Sequence, residues 1–294
     1  MFHPVDLNVE LSEEEFRLLR DFIHERFGLY FDDGQRASLR SRLAARLASL
    51  DLLSFEDYYR YLRFGPERQD ELQRMVSHLT NNETYFFREQ PQLQVFAEHI
   101  LRSIKERKNR TADRGLKILS AGCSTGEETH TLAMIVYDSG QFFWNWDVQV
   151  IGLDVDPVAL EKARKGLYFH NSFRAISPAL LERHFVPQGT GRQVKEAIRR
   201  MVRLRHGNIV QPASYDGLDP VDVIFCRNVL IYFSDAMILK VVRLFHEILA
   251  PGGYLCLGHA ESLSRITDLF TPIRFQGAMV YQAAEREGRP GAVP

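Results

Sequence analysis

The stretch KILSAGCSTGEET, residues 117–129, decides the fold that we predict for this chain. It begins as an apolar strand, turns at Gly122 and Gly126, and continues as a helix from Glu127. A strand that ends in a glycine turn lets backbone N–H groups and a helix N-terminus approach a ligand at the carboxyl edge of a sheet. The stretch therefore predicts a crevice for a small molecule.

The same stretch indicates the charge of that molecule. Its glycine spacing differs from the G-x-G-x-x-G fingerprint of dinucleotide sites, and the helix starts with the acidic pair Glu127 and Glu128. Carboxylates at a helix N-terminus repel a pyrophosphate, so the pattern favours a ligand with a cationic group.

From residue 116 onward, short apolar runs alternate with helical patterns, which is typical of a parallel sheet covered by helices. The predicted strands are 117–121, 148–153, 201–206, 221–226 and 254–258, with a closing strand pair near 272–283. The predicted helices are 127–138, 157–165 and 235–249. Residues 166–200 interrupt the alternation and contain PQGTG, so we expect a small inserted β-subdomain or hairpin there.

The part before residue 80 is predicted to be all-α. Ser12 and Glu15 form an S-x-x-E capping box at the first helix, which ends at Gly28. Further helices are predicted at 35–50, 54–64 and 67–79. The expected organisation is a helical domain (1–80), a linker with a connecting helix (81–115), a sheet domain (116–284) and a disordered tail (285–294).

Composition excludes several classes of protein. With 45% hydrophobic residues and a net charge of -1 over 294 residues, the totals indicate neither nucleic-acid nor membrane binding. Cys123, Cys226 and Cys256 are scattered, so neither a disulfide framework nor a zinc site is predicted. No signal peptide and no run of about 18 apolar residues is present. We therefore expect a cytoplasmic protein without membrane insertion.

A second polar signal lies in VQVIGLDVDPVAL, residues 148–160. The apolar strand ends at Asp154, just before a helix whose first turn holds Pro157. A carboxylate at the end of the neighbouring strand can accept hydrogen bonds from two ribose hydroxyls. Alternatively, Asp154 or Asp156 is an ordinary N-cap of that helix.

Two further segments place polar residues where a ligand could bind. In VDVIFCRNVLIYFS, residues 221–234, Arg227 and Asn228 leave an apolar strand at its carboxyl end, and Tyr232 follows. A loop with solvated polar side chains is the alternative. In LTNNETYFFREQPQ, residues 79–92, polar side chains bracket three aromatic residues, which can wall a pocket or pack between the two domains.

Together, NETYFFRE, AGCSTGEET, GLDVDPVALEKAR, FCRNVLIYF and LAPGGYLCLGHAES resemble the hallmark segments of the CheR-type chemotaxis receptor glutamate methyltransferases. The resemblance covers nearly the whole chain, as far as MVYQA near its end. It implies a Rossmann-like class I methyltransferase domain preceded by an all-α domain. It also implies S-adenosylmethionine as cofactor, S-adenosylhomocysteine as product, and glutamate side chains of chemoreceptor cytoplasmic helices as substrate.

The resemblance also implies roles for individual residues. Cofactor contacts are implied for Asn82, Thr84, Arg88, Glu128, Asp154, Asn208, Ile209, Arg227 and Asn228. Of these, Glu128 would face the cationic methionine end, Asp154 the ribose, and Asn208 with Ile209 the adenine. No metal is implied.

Arg88 and Tyr232 are the catalytic residues that the resemblance implies, since both would lie near the transferring methyl group. The sequence departs from the family after the GEE motif, where Thr129 and His130 replace the usual proline and tyrosine. We expect this change to alter packing more than chemistry. The inserted segment is shorter than in members that grip a tethering peptide, so tethered recruitment to the receptor is not expected.

A basic helix is the predicted docking surface for the methyl-accepting chemoreceptor. In residues 35–50, arginines flank a stripe of leucines on one helix face, and the segment contains no acidic residue. The proposed receptor-binding residues are Arg36, Arg40, Arg42 and Arg46. The alternative is an ordinary packed helix whose arginines extend their charged ends to water. We expect the protein to act as a monomer.

Other classes of function remain open at this level. Gly122 to Gly126 spells G-x-S-x-G, which would make Ser124 the nucleophile of an α/β-hydrolase with His259 downstream. A methyltransferase acting on nucleic acid or a small molecule, and a regulator that binds the cofactor without turnover, are further alternatives. His259 and Glu261 have no third metal ligand nearby, and local hydrogen bonding is the expected role of GHAES.

Overall fold

The structure of the chain is a computed structural model that describes residues 9–284. An all-α domain comes first, a helical connection follows, and a sheet domain with an inserted subdomain completes the described chain. The predicted disordered tail, residues 285–294, lies outside the described residues.

The all-α domain is built from α1 Glu13–Phe27, α2 Arg36–Ser49, α3 Phe55–Phe64 and α4 Arg68–Leu79. Ser12 and Glu15 exchange the two hydrogen bonds of the predicted capping box at the start of α1. Gly28 ends α1 with a φ of 79°, a left-handed conformation that glycine adopts without strain. The predicted helices of this domain are confirmed, with small shifts at their ends.

The core of this domain contains an ion pair as well as leucines. The buried stripe of α2 consists of Leu39, Leu43 and Leu47. Beside it, Arg46 binds both carboxylate oxygens of Glu71 at 2.9 and 2.5 Å. The hydroxyl of Tyr58 donates to the same carboxylate at 2.8 Å. Glu71 is only 1% exposed, so this polar cluster links α2, α3 and α4 from inside the core.

The strands of the sheet domain, in chain order, are β1 Gly115–Ala121, β2 Asp147–Asp154, β3 Leu167–Tyr168, β4 Phe185–Gln188, β5 Gly191–Val194, β6 Val202–His206, β7 Val221–Cys226, β8 Leu249–Leu257, β9 Phe270–Phe275 and β10 Ala278–Ala283. Seven of them form one sheet in the order β6-β2-β1-β7-β8-β10-β9. The strands from β6 to β8 run parallel, whereas β10 is antiparallel to β8 and β9. The predicted α/β fold with a closing strand pair is confirmed.

The remaining helices are α5 Gln90–Val95, α6 Leu101–Thr111, α7 Glu127–Ser139, α8 Pro157–Lys165, α9 Pro178–His184, α10 Glu196–Arg199 and α11 Asp235–Ile248. A π-helical turn, Phe96–Ile100, joins α5 to α6. Apolar clusters cover both faces of the large sheet. Within residues 9–284, no helix is long and apolar enough to cross a membrane.

β8 begins earlier than predicted, at Leu249 directly after α11. Its pairing with β7 is irregular. Leu249 is opposite Val221 and Tyr254 is opposite Val223, so β8 has extra residues between two pairs that are only two residues apart in β7. The intervening residues include Gly252, which has a φ of 67° and leaves the regular ladder. The sequence pattern therefore predicted the regular part of β8 and missed its bulged beginning.

The inserted segment forms a small antiparallel sheet in the order β3-β5-β4, as predicted. It meets α7 through His130, whose Nδ1 lies 2.8 Å from the carbonyl oxygen of Gly126 and 3.2 Å from the hydroxyl of Tyr168. Burial lowers the pKa of His130 to about 4, so the imidazole is neutral at pH 7. The unusual histidine thus packs against the inserted subdomain.

Removal of the buried carboxylate in the helical domain should cost much of that domain's stability. Glu71→Ala leaves the largely covered Arg46 guanidinium without its partner; breaking a fully buried pair costs about 3–5 kcal/mol, which sets the upper end of the expected loss. The exposed pair of Arg60 and Glu56 is the matched control, because Arg60→Ala should cost no more than about 1 kcal/mol. Urea denaturation followed by circular dichroism measures both, and equal losses would contradict the structural role of Glu71.

Candidate functional site

A cavity lies at the carboxyl edge of the large sheet, where β1, β2 and β7 end beneath the helical domain and the linker. Its empty volume of about 1030 Å³, part of it open to solvent, suits a small organic ligand. The structure brings every predicted cofactor and catalytic residue to this cavity. They are Asn82, Thr84, Arg88, Glu128, Asp154, Asn208, Ile209, Arg227, Asn228 and Tyr232.

The glycine turn after β1 forms the floor of the cavity. Gly122 has a φ of 77°, and a Cβ atom on it would lie 2.5 Å from a methyl group of Val229. A side chain there would be strained and would also push away the loop that follows β7. Only glycine therefore lets the ends of β1 and β7 approach each other at this point.

Asp154 ends β2 with its carboxylate at the cavity, and the residue is 6% exposed. Its two oxygens accept hydrogen bonds from the N–H groups of Ser124, at 2.7 Å, and Asp156, at 2.8 Å. Burial raises the pKa of Asp154 to about 6. A carboxylate has up to about four acceptor sites, so Asp154 retains capacity for hydroxyl donors of a ligand.

Asp156 takes the capping role that the sequence left open between the two aspartates. Its Oδ1 accepts the N–H groups of Val158 and Ala159 at the start of α8. The same carboxylate accepts the hydroxyl of Ser77 in α4 at 2.5 Å and the amide of Asn82 in the linker at 2.7 Å. Asp156 therefore joins the helical domain, the linker and the sheet domain.

The contacts of Asp156 extend to the glycine turn. The side-chain oxygen of Asn82 accepts the hydroxyl of Ser124 at 2.8 Å, and Ser124 also donates its N–H to Asp154. Sequence reasoning missed Ser77, Asp156 and Ser124 as supports of the site. The only local signal was the second aspartate of the D-x-D run, because Ser77 and Asn82 lie far from it along the chain.

Glu128 and Arg227 form the most strongly charged wall of the cavity. Arg227 donates its Nε–H to Glu128 at 2.7 Å and another N–H to the carbonyl oxygen of Arg88 at 2.9 Å. The other oxygen of Glu128 accepts the hydroxyl of Ser120 at 2.7 Å. Glu127, the other acidic residue of the pair, instead accepts hydrogen bonds from Thr125 and Ser172, and burial raises its pKa.

The end of the cavity near β6 is more apolar. The side chain of Ile209 is buried, and Asn208 donates its side-chain amide to the carbonyl oxygen of Arg26 at 2.8 Å. Phe27 and Leu29, which follow in the helical domain, line the same end. A flat heteroaromatic group suits such an environment, in which apolar faces surround a few polar groups.

Arg88 and Tyr232 lie at the more open side of the cavity. Arg88 donates to the carbonyl oxygen of Glu83 at 3.2 Å, and its guanidinium lies 5.7 Å from the ring centre of Tyr85. Tyr232 is 38% exposed and accepts a long hydrogen bond of 3.4 Å from Asn81. Both side chains therefore line the cavity and are partly open to solvent.

The lining residues fit S-adenosylmethionine. The buried Asp154 offers acceptors for a ribose diol, the apolar end around Ile209 suits adenine, and the acidic Glu128 suits the cationic methionine end. A dinucleotide fits less well, because its pyrophosphate would meet the carboxylates of this edge.

The hydrolase alternative does not fit this geometry. The hydroxyl of Ser124 donates to Asn82, whereas the imidazole of His259 lies 2.8 Å from the carboxylate of Glu89. Ser124 therefore has no hydrogen bond with the histidine that a nucleophilic serine needs. Within residues 9–284, no cluster of three or more histidine, cysteine or acidic side chains could hold a metal ion.

The four arginines of α2 are not equivalent, and none of them lines the cavity. Arg36 is exposed, and Arg40 pairs with Glu10 at 3.1 Å. Arg42 donates to the carbonyl oxygen of Leu79 at 2.6 Å. Arg46 is bound to the buried Glu71, which assigns it a structural role rather than a surface one.

Comparisons with known proteins support the same class. Residues 14–80 match the family model described as CheR methyltransferase, all-alpha domain, and residues 82–279 match the one described as CheR methyltransferase, SAM binding domain. Chemotaxis protein methyltransferase 2 of Vibrio cholerae is 34% identical over 274 residues, which cover 93% of this chain and 94% of that protein. The chemotaxis protein methyltransferase of Escherichia coli is 34% identical over 277 residues, which cover 92% and 91%.

Solved structures show weaker likeness. An O-methyltransferase family protein from Burkholderia thailandensis matches 78% of this chain and 63% of its own, with 12% identity and a TM-score of 0.40. The matches of both domains and the relatives aligned over most of their length show that this chain belongs to the CheR methyltransferase family, whose sheet domain binds S-adenosylmethionine.

Proposed function

We propose that the chain transfers the methyl group of S-adenosylmethionine to glutamate carboxylates on the cytoplasmic helices of chemoreceptors. The observation that supports this substrate is the state of Arg88. Within residues 9–284, no carboxylate forms a salt bridge with Arg88, although it lines the cavity. Arg227, by contrast, is already paired with Glu128. An arginine with free donors is suited to orient an incoming carboxylate.

The proposed reaction needs no general base. S-adenosylmethionine supplies a methyl group bound to a cationic sulfur. A glutamate side chain has an ordinary pKa of about 4.3 and is already an anion at neutral pH. The task left to the protein is to hold the carboxylate oxygen, methyl carbon and sulfur in line, which can contribute about 7–11 kcal/mol.

The chain's own nucleophiles are unsuited to a covalent route. Cys123 borders the cavity, but burial raises the pKa of its thiol well above the ordinary value, so it remains protonated. We propose that Arg88 orients the incoming carboxylate while Tyr232 helps to fix the sulfonium end. In this arrangement both residues act by alignment rather than by proton transfer.

We propose that the exposed part of α2 docks the receptor. Arg36 and Arg40 present cationic groups on the surface, and chemoreceptor helices that carry glutamates are acidic partners for them. Arg42 contributes less, because its guanidinium already binds Leu79, and Arg46 is excluded by its pairing with Glu71. We propose that the protein acts as a monomer in the cytoplasm, where the receptor helices lie.

Asp154→Ala should weaken S-adenosylhomocysteine binding. Two hydrogen bonds from ribose hydroxyls to an ionised carboxylate contribute about 1.5–3 kcal/mol each, so the dissociation constant should rise about 100-fold or more. Asp147→Ala, at the exposed opposite end of β2, is the matched control and should bind as the wild type does. Isothermal titration calorimetry measures both, and unchanged affinity of Asp154→Ala would place the ribose elsewhere.

Arg88→Ala should abolish most methyl transfer while the protein still folds. Loss of the group that aligns the carboxylate should lower kcat by about 100-fold. Arg174→Ala is the control, since Arg174 stacks on the same Tyr85 ring at 3.9 Å but does not line the cavity. Transfer of radioactive methyl groups to a receptor cytoplasmic fragment measures the rates, and normal turnover of Arg88→Ala would refute this role.

Charge reversal of the docking helix should raise KM for the receptor fragment. The double variant Arg36→Glu with Arg40→Glu should raise KM about tenfold and weaken its dependence on salt, while S-adenosylhomocysteine affinity stays unchanged. Arg17→Glu, an exposed position of α1 in the same domain, is the control. The control should leave KM unaltered. If the double variant of α2 leaves KM unaltered as well, α2 is an ordinary packed helix.

A further inference from the structure

A buried carboxylate outside the predicted site holds the loop that follows β7. Glu261 lies beyond β8, in the segment GHAES, and is 7% exposed. Its Oε1 accepts the N–H groups of Val229, Leu230 and Ile231 at 3.0, 2.7 and 3.3 Å. Its Oε2 accepts those of Asn228 and Gly258 at 2.9 and 2.6 Å.

The loop that Glu261 binds is also a wall of the cavity. Arg227, Asn228, Val229 and Tyr232 all line the cavity, whereas Glu261 does not. Asn228 has a φ of 60°, a left-handed conformation that disfavours most residues with a side chain. The loop has left the strand ladder at this point, so its buried N–H groups need another acceptor. Glu261 supplies that acceptor.

Gly258 makes room for this arrangement. A Cβ atom at position 258 would lie 2.8 Å from Oε2 of Glu261 and 2.9 Å from the backbone nitrogen of Asn228. These two atoms are hydrogen-bonded to each other, so moving either of them away from position 258 would break that bond. The spacing of glycine and glutamate in GHAES therefore lets β8 and the loop after β7 share one carboxylate.

We propose that Glu261 is a positioning residue, which holds residues 227–232 in the shape that the methyltransferase site needs. An ionised carboxylate is the side chain suited to this task, because it only accepts hydrogen bonds and can serve several donors. A glutamine of the same size would present an amide N–H group to the loop's N–H groups. The inference rests on the proposed placement of the cofactor in the cavity.

The test is Glu261→Gln in the full chain. We expect the variant to bind S-adenosylhomocysteine about tenfold or more weakly, and amide hydrogen exchange within residues 226–233 to become faster than in the wild type. Glu71→Gln is the matched control, because Glu71 is also a buried carboxylate but belongs to the helical domain away from the cavity. It should lower the Tm without changing ligand affinity.

Wild-type affinity in Glu261→Gln, or an equal loss of affinity in both variants, would overturn the positioning role. If Glu261→Gln does not fold, Gly258→Ala keeps the carboxylate and crowds it, and the same local effects are expected. Asp154→Ala separates the two hypotheses. If Asp154→Ala binds S-adenosylhomocysteine as the wild type does, the proposed placement of the cofactor is wrong. If Asp154→Ala binds weakly while Glu261→Gln binds normally, only the role of Glu261 is overturned.

Discussion

The shape of the site depends on hydrogen bonds to carboxylates that are buried at the carboxyl edge of the sheet. Asp154, Asp156 and Glu261 are each 7% exposed or less, and each accepts backbone N–H groups from a loop or a helix start. A buried charge without such partners would be costly, so the carboxylates and the loops specify each other's positions. The floor and one wall of the cavity follow from these contacts.

The sequence predicted the sheet and the polar residues at its edge because both depend on local patterns. An apolar run followed by a turn shows where a strand ends, and parallel strands bring their carboxyl ends together. What the sequence could not show is that Asp156, besides capping α8, also accepts hydrogen bonds from Ser77 and Asn82, which lie 79 and 74 residues earlier along the chain.

The docking helix shows a second limit of sequence patterns. The leucine stripe of α2 follows from helical periodicity, and all arginines beside it have the same chance of being exposed. Arg46 binds Glu71 of another helix beside the core, whereas Arg36, the first residue of α2, is exposed. An arginine beside an apolar stripe is therefore a surface residue or a core residue according to a partner that the local sequence does not show. The sequence predicted only local hydrogen bonding for Glu261, such as its contact with Gly258, because the N–H groups of the loop after β7 that it also binds lie about 30 residues away.

The cavity is shared by both domains, and this has a thermodynamic consequence. Phe27 and Leu29 of the helical part line one end, while the contact of Ser77 with Asp156 links α4 to the loop beside Asp154, the proposed ribose ligand. A ligand that binds only the assembled cavity stabilises the contact between the domains as well as each wall. Such coupling is reciprocal. If a partner binds α2 and shifts the helical domain, it changes the protein's affinity for the ligand. The ligand then changes the protein's affinity for that partner by the same factor. Docking and cofactor binding are independent only if the helical domain stays fixed when a partner binds.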